Sequence, residues 1–88
     1  MTIQESYRHL IERLHLPANE EKYSHLVISP NKTEEEELLC EYILRVGDYM
    51  KQIETHTVDN KTPKALLESG CRILLPKIEE ILNKNHWK

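Results

Sequence analysis

The chain has 88 residues, of which 39% are apolar and 31% are charged, with a formal net charge of −3. This length predicts one domain over residues 1–88, and the apolar content is too high for a disordered tail. Because acidic and basic residues are interspersed, we do not expect a broad basic face that binds nucleic acid. Two glycines, four prolines and no phenylalanine argue against a turn-rich β-fold, so the predicted class is all-α.

The first predicted helix runs from about residue 2 to residue 15. Thr2 and Glu5 have the spacing of a capping box, in which each side chain bonds a free backbone N–H group of the other residue. Apolar residues then recur in steps of three and four and form one stripe: Ile3, Tyr7, Leu10, Ile11 and Leu14. The charged residues, Arg13 among them, are expected on the solvent face, and Pro17 ends the helix.

A short second helix is predicted over about residues 19–27. Asn19 is expected to cap it, and Glu20 and Glu21 form an acidic first turn. Three further residues share one side of this helix: Tyr23, Leu26 and Val27. The alternative is that residues 25–29 form a lone extended segment, because two β-branched residues are adjacent there.

The third predicted helix covers about residues 33–54 and begins with four consecutive glutamates. Thr33 and Glu36 repeat the capping-box spacing, and the helix dipole stabilises negative charge in a first turn. A helix start therefore accounts for residues 34–37, which we expect to be exposed and which also suit an acidic docking patch. The predicted buried stripe is Leu39, Ile43, Val46, Met50 and Ile53, with Tyr42 and Tyr49 at its edge and a Glu41–Arg45 ion pair outside it.

The fourth predicted helix covers about residues 63–84. Thr62 is expected at its N-cap and Pro63 at its first position, where a missing N–H group costs nothing. Pro76 should bend this helix on its solvent side, and a continuous kinked helix is favoured over a break at residues 69–70. The predicted buried stripe is Leu67, Cys71, Leu74, Ile78 and Ile81.

The two long helices are joined by a polar connection at residues 55–61 and are therefore expected to lie antiparallel. Together with the two shorter helices they form an antiparallel helical bundle. Several apolar residues are doubled along the stripes: Leu38–Leu39, Leu66–Leu67, Leu74–Leu75 and Ile81–Leu82. This surplus is either absorbed by the shorter helices or shared with a partner or with a second copy in a homodimer.

The sequence shows no motif for catalysis, for a cofactor or for a metal. The histidines lack the i,i+4 spacing of zinc ligands, neither cysteine lies in a CxxC motif, and glycine-rich phosphate loops are absent. Cys40 and Cys71 fit buried thiols better than a zinc site assembled from distant residues. We therefore expect neither an enzyme nor a cofactor.

The C-terminal tail places the only tryptophan among basic residues, with Trp87 between Lys84, His86 and Lys88. The favoured prediction is that the indole folds back onto the end of the bundle. The alternative is an aromatic anchor for a partner or for peripheral contact with an anionic membrane. No apolar run is long enough for a transmembrane segment, and the lack of an export signal predicts a soluble cytoplasmic protein with reduced cysteines.

A helical bundle without catalytic residues predicts a function in protein binding. We expect a small inhibitor, immunity protein or adaptor that binds a larger and basic protein target. The candidate partner-binding residues are Glu20, Glu21, Glu34, Glu35 and Glu37, together with Lys84, His86, Trp87 and Lys88 in the tail.

The expected architecture and the position of the tail resemble the bacteriocin immunity proteins, which are compact antiparallel helical bundles; no motif carries this resemblance. One alternative is a homo-oligomeric structural or regulatory bundle. A DNA-binding regulator ranks below it, because neither long helix has the basic, polar character of a recognition helix.

Overall fold

The computed structural model describes residues 1–57, 59 and 61–88, and these residues form four α-helices and one 3₁₀ turn. The elements are α1 (Ile3–Leu14), the 3₁₀ turn (Pro17–Asn19), α2 (Glu20–Ile28), α3 (Glu34–Glu54) and α4 (Lys64–Lys84). The all-α prediction is confirmed, and each helix ends within one residue of its predicted limit. Since α2 continues to Ile28, the extended alternative for residues 25–29 is wrong. Val58 and Asn60 of the predicted polar connection lie outside the described residues.

Two helices begin with the predicted capping boxes. The Glu5 N–H group donates to Thr2 Oγ1 at 3.1 Å, and the Thr2 N–H group donates to Glu5 Oε1 at 3.4 Å. The equivalent distances between Thr33 and Glu36 are 3.2 and 3.0 Å. These contacts satisfy backbone N–H donors that the start of a helix would otherwise leave free. Because they join residues only three apart, both helix starts could be predicted from the sequence.

The other two predicted caps are met only in part. Asn19 occupies the N-cap position of α2 as predicted, but its side chain makes no capping hydrogen bond, because its amide is engaged elsewhere, as described below. At α4 the N-cap is Pro63, whose backbone is extended at φ −60° and ψ 141°, so the helix begins at Lys64. Thr62 therefore lies one residue too early to cap it.

One hydrophobic core joins all four α-helices. Its least exposed apolar side chains come from α1, α3 and α4: Leu10, Leu14, Val46, Cys71, Ile78 and Leu82. The predicted stripes are confirmed, although four of their members are only half-buried: Tyr7, Ile11, Ile43 and Ile81. Antiparallel packing brings α4 very close to α3 at Gly70, where a Cβ atom would lie 2.7 Å from Cε2 of Tyr49. Any side chain at position 70 would force the Tyr49 ring to shift, so this crossing favours glycine.

The surplus of apolar residues is only partly absorbed by the bundle. Leu74 and Leu75 are both buried, and Leu75 lies beside α1. In contrast, Leu38 is 39% exposed and Leu66 is 62% exposed. α4 runs without a break through Pro76, which is exposed as predicted. Apolar surface therefore stays open on the sides of α3 and α4 that the shorter helices do not cover.

Candidate functional site

The C-terminal tail is bonded to the bundle, which confirms the prediction that Trp87 folds back. His86 adopts a left-handed conformation with φ 61°. The N–H group of Trp87 donates to the Leu82 carbonyl at 3.0 Å, and that of His86 donates to the Asn83 carbonyl at 3.2 Å. This pair of bonds is a Schellman motif, which ends α4 and turns the half-buried indole onto the core.

Arg13 holds the tail from the side of α1. One of its terminal nitrogens contacts the Glu79 carboxylate, and the other donates to Asn83 Oδ1 at 2.8 Å and to the Trp87 carbonyl at 2.9 Å. The Arg13 side chain is only 17% exposed, so its predicted place on the solvent face is wrong. The buried Nε atom has no hydrogen-bond partner among the described residues.

Asn19 completes the same network as a bridge between chain segments. Its side-chain amide nitrogen donates to the Arg13 carbonyl at 2.7 Å, and its amide oxygen accepts from the Lys88 N–H group at 2.9 Å. Asn19 is fully buried, which is tolerable because both ends of the amide are paired. We call this network the tail clasp; it consists of Arg13, Asn19, Glu79, Asn83, Trp87 and Lys88.

The four glutamates in the first turn of α3 fall into two groups: Glu35 and Glu36 are bonded to other residues, whereas Glu34 and Glu37 are exposed. Glu35 accepts from Asn85 Nδ2 at 2.8 Å and from Lys84 Nζ at 3.0 Å. The bond from Asn85 has the largest effect on the pKa of Glu35, and it lowers this pKa below its ordinary value of 4.5. The bond from Lys84 lowers it further. Glu36 is used by the capping box, whose backbone bond at Thr33 lowers the pKa of Glu36 as well. Both residues are half-buried, so the expectation of full exposure is wrong for them.

The remaining candidate glutamates are exposed: Glu20, Glu21, Glu34 and Glu37. Within the described part of the chain, none of their side chains forms an ion pair or a hydrogen bond. The structure does not gather them into one patch. Glu20 and Glu21 line a depression with Tyr23 on α2, Glu37 lines the groove described next, and Glu34 lies in the same turn outside that groove.

A groove of about 560 Å³ lies between α2 and α3. We call it the α2–α3 groove; its apolar lining is Tyr23, Leu26, Val27, Pro30, Cys40, Ile43 and Leu44. Val27 is 58% exposed and Leu44 is 75% exposed, above a floor that is buried or half-buried. The sequence placed Val27 with Tyr23 and Leu26 but did not reveal that it stays uncovered, because exposure depends on how α2 sits against α3.

The charged residues of the α2–α3 groove are Lys32, Glu37 and Glu41. Lys32 is half-buried, and its ammonium group donates to the Ser29 carbonyl at 2.6 Å. Glu41 pairs with Arg45 at 2.7 Å, as predicted, on the exposed surface of α3. The ammonium group of Lys32 keeps its positive charge in this bond, so Glu37 is the one charged residue of the lining that is exposed and has no ion pair among the described residues.

Cys40 lies in the wall of this groove, and its thiol donates to the Leu26 carbonyl at 3.6 Å. Burial raises the pKa of the Cys40 thiol above its ordinary value of 9.0. A thiol with a raised pKa is protonated at neutral pH and is a poor nucleophile. The groove therefore offers a surface for contact, and Cys40 does not make it a reactive site.

A second apolar surface lies on the α3–α4 pair. We call it the hairpin face; its apolar members are Leu38, Tyr42, Leu66, Ile73 and Ile81. Leu66 and Ile73 are one heptad apart on α4 and are 62% and 58% exposed. Leu38, Tyr42 and Ile81 share a depression with Lys77, Glu80 and Lys84. This face is less concave than the groove and carries charges of both signs.

Within residues 1–57, 59 and 61–88, no cluster of three or more histidine, cysteine, aspartate or glutamate residues is arranged to hold a metal ion. The same residues include no helix with the length and apolar character needed to cross a membrane. Among known proteins, no family model, no curated protein and no solved structure matches this chain.

Proposed function

We propose that this protein is a small non-enzymatic binding module that acts in the cytoplasm as an inhibitor, immunity protein or adaptor. The observation that carries the proposal is the α2–α3 groove, where Val27 and Leu44 stand exposed over an apolar floor. Covering a large apolar side chain contributes about 1.5–3 kcal/mol. A concave apolar surface with charged edges is the type of surface that protein partners cover.

One acidic residue at the rim of the groove suits a basic target. Glu37 is exposed and makes no ion pair among the described residues, whereas Glu41, one turn further along the same edge, is already paired with Arg45. Acidic residues at the rim of an interface accelerate encounter with a basic partner and exclude acidic ones. The tail contributes less to the proposed site, because the clasp already engages Trp87 and the backbone of Lys88.

Immobilised protein and two sets of variants test this function in a lysate of the source cells. Val27→Glu and Leu44→Glu place charge inside the groove, whereas Leu66→Glu is the matched control, since Leu66 is comparably exposed at 62% on another surface. We expect a target that is retained by the wild type and by Leu66→Glu but lost from both groove variants. Equal retention on all columns, or no retained protein, would contradict the proposal.

A homodimer is the second candidate, and the exposed heptad pair Leu66 and Ile73 favours it. Two copies of the hairpin face could pack around a twofold axis and cover these side chains. Light scattering over a range of concentrations should then give twice the chain mass of 10.5 kDa for the wild type and one chain mass for Ile73→Glu. A monomeric wild type at every concentration would exclude this candidate.

A further inference from the structure

We infer that the C-terminal tail, residues 85–88, is a latch that holds α2 on the bundle: release of the tail loosens α2 while α1, α3 and α4 stay packed. This inference does not depend on which molecule fills the α2–α3 groove. It is supported by the thin packing of α2, by the bonds between α2 and the tail, and by the separate attachment of the tail to the other three helices.

α2 is too short and too thinly packed to hold its own position. It has 9 residues, and isolated helices shorter than about 12–15 residues are marginal in water. Of those residues, all within the described part of the chain, Leu26 alone is buried and Tyr23 is half-buried, with its ring centre 5.1 Å from that of exposed His15. A pocket of about 320 Å³ between α2, the start of α3 and the tail further reduces the apolar contact.

The polar contacts from α2 to α3 are weak. The Cys40 thiol, which is a poor donor, lies 3.6 Å from the Leu26 carbonyl. The side chains of His25 and Glu36 approach to 3.7 Å between nitrogen and oxygen, which is too long for a hydrogen bond, and the His25 side chain is 65% exposed. Neither contact holds α2 firmly against α3.

Stronger polar contacts join the start of α2 to the tail. The Lys22 ammonium group donates to the Asn85 carbonyl at 2.9 Å and lies 5.9 Å from the centre of the Trp87 ring, where an indole attracts a cation. Immediately before α2, the amide oxygen of Asn19 accepts from the Lys88 N–H group at 2.9 Å. The tail therefore holds the first turn of α2 at three points.

The tail is also attached to each of the other three helices, without help from α2. On α1, Arg13 donates to the Trp87 carbonyl at 2.9 Å. On α3, Glu35 accepts from the side-chain amide of Asn85 at 2.8 Å. On α4, the Leu82 carbonyl accepts from the Trp87 N–H group at 3.0 Å. A segment that is bonded to three packed helices can keep the fourth in place.

The latch also sets the geometry of the α2–α3 groove. Tyr23, Leu26 and Val27 form the α2 wall of the groove, so the docked tail fixes the position of that wall. A segment with few buried apolar contacts opens locally at a lower free energy than the core of the same protein. Release of the tail therefore loosens one wall of the groove before the rest of the bundle unfolds.

Hydrogen exchange of the α2 backbone amides tests the latch in the whole chain. Trp87→Ala removes the indole, whereas Lys22→Met removes only the ammonium group and leaves helix propensity nearly unchanged. Lys51→Met is the matched control, because Lys51 is exposed near the far end of α3. We expect the α2 amides to exchange about tenfold faster in Trp87→Ala and about threefold faster in Lys22→Met, and at the wild-type rate in Lys51→Met.

The core distinguishes a loosened α2 from an unfolded protein. Amides in the middle of α4 should keep their wild-type exchange rates in Lys22→Met. In the same variant Cys40, which lies against α2, should be alkylated faster, whereas the fully buried Cys71 should stay protected.

Lys22→Met decides the result even when Trp87→Ala unfolds the whole chain. Faster exchange in α2 alone supports the latch. An unchanged rate in α2 would show that the tail does not hold this helix, and equal acceleration of α2 and α4 would show that the bundle opens only as one unit. Either of these two results would overturn the inference.

Discussion

The tail clasp and the α2–α3 groove are both junctions between helices, but they are filled in opposite ways. In the clasp, charged and amide groups from α1, the 3₁₀ turn and the tail are paired with one another. In the groove, apolar side chains are left uncovered beside the exposed carboxylate of Glu37. Polar groups that are satisfied inside the molecule have little to offer a partner, whereas uncovered apolar surface gains from one.

The four glutamates at the start of α3 show the same contrast within one turn. Glu35 and Glu36 are occupied by bonds to α4 and to the helix cap. Glu34 and Glu37 are exposed, and of these only Glu37 lines the groove. A run of identical residues thus contains two glutamates that are bonded within the protein and two whose side chains are exposed.

The largest expected effect is on the core that supports both regions. Leu74→Asp places a carboxylate at a site that is 8% exposed, where an unpaired charge is strongly destabilising. We expect the helical circular dichroism signal to be lost at room temperature. Leu66→Asp, on the same helix, should change stability by about 0.5 kcal/mol or less. A folded Leu74→Asp variant would show that the core is not packed as described.

The second largest expected effect is a loss of stability when the tail clasp is broken. Arg13→Ala removes the partner of Glu79, Asn83 and the Trp87 carbonyl, and should lower the free energy of unfolding by about 1–3 kcal/mol. Urea titration measures the change. The control is Arg8→Ala on the exposed side of α1, which should have almost no effect. Equal losses for the two variants would mean that the clasp adds no stability.

A smaller change, in this case a gain in stability, is expected from a substitution at the end of α4. His86 has φ 61°, a conformation that costs a residue with a side chain about 1 kcal/mol and costs glycine almost nothing. His86→Gly should therefore raise the melting temperature, measured by circular dichroism. His86→Val, which is β-branched, should lower it, and the reverse order would argue against the Schellman turn.

The smallest effect is a dependence on pH. The pKa of Glu35 is lower in the folded protein than its ordinary value of 4.5, so its contribution to stability is present above pH 4.5 and is lost as the pH falls through the lowered pKa. In urea titrations over that acidic range, Glu35→Gln should lose less stability than the wild type. Glu34→Gln should follow the wild type, and identical curves for all three proteins would show that Asn85 and Lys84 do not hold Glu35 in solution.

The sequence predicted the helices and the core because both depend on local spacing. Apolar residues at steps of three and four define which side of each helix is buried, whatever the other helices do. Capping boxes at Thr2 and Thr33 use contacts only three residues apart, and both are confirmed. Antiparallel packing of the long helices then followed from the short connection between them.

The clasp and the groove could not be predicted in the same way. Arg13 bonds the tail over a separation of 74 residues, and Asn19 bonds Lys88 over 69, distances at which sequence spacing carries no information. The sequence places Asn19 at the N-cap of α2, where asparagine is common, but it does not show that the side chain bonds the Arg13 carbonyl and the Lys88 N–H group instead of capping the helix. The exposure of Val27 depends on the angle at which α2 meets α3, and the pattern of apolar residues does not determine that angle.

The position of the only tryptophan gives the protein an optical property. Trp87 is half-buried at the clasp, with the Lys22 ammonium group 5.9 Å from its ring centre. Release of the tail would move the indole into water and shift its emission to longer wavelength. Intrinsic fluorescence therefore reports whether the tail is docked on the bundle.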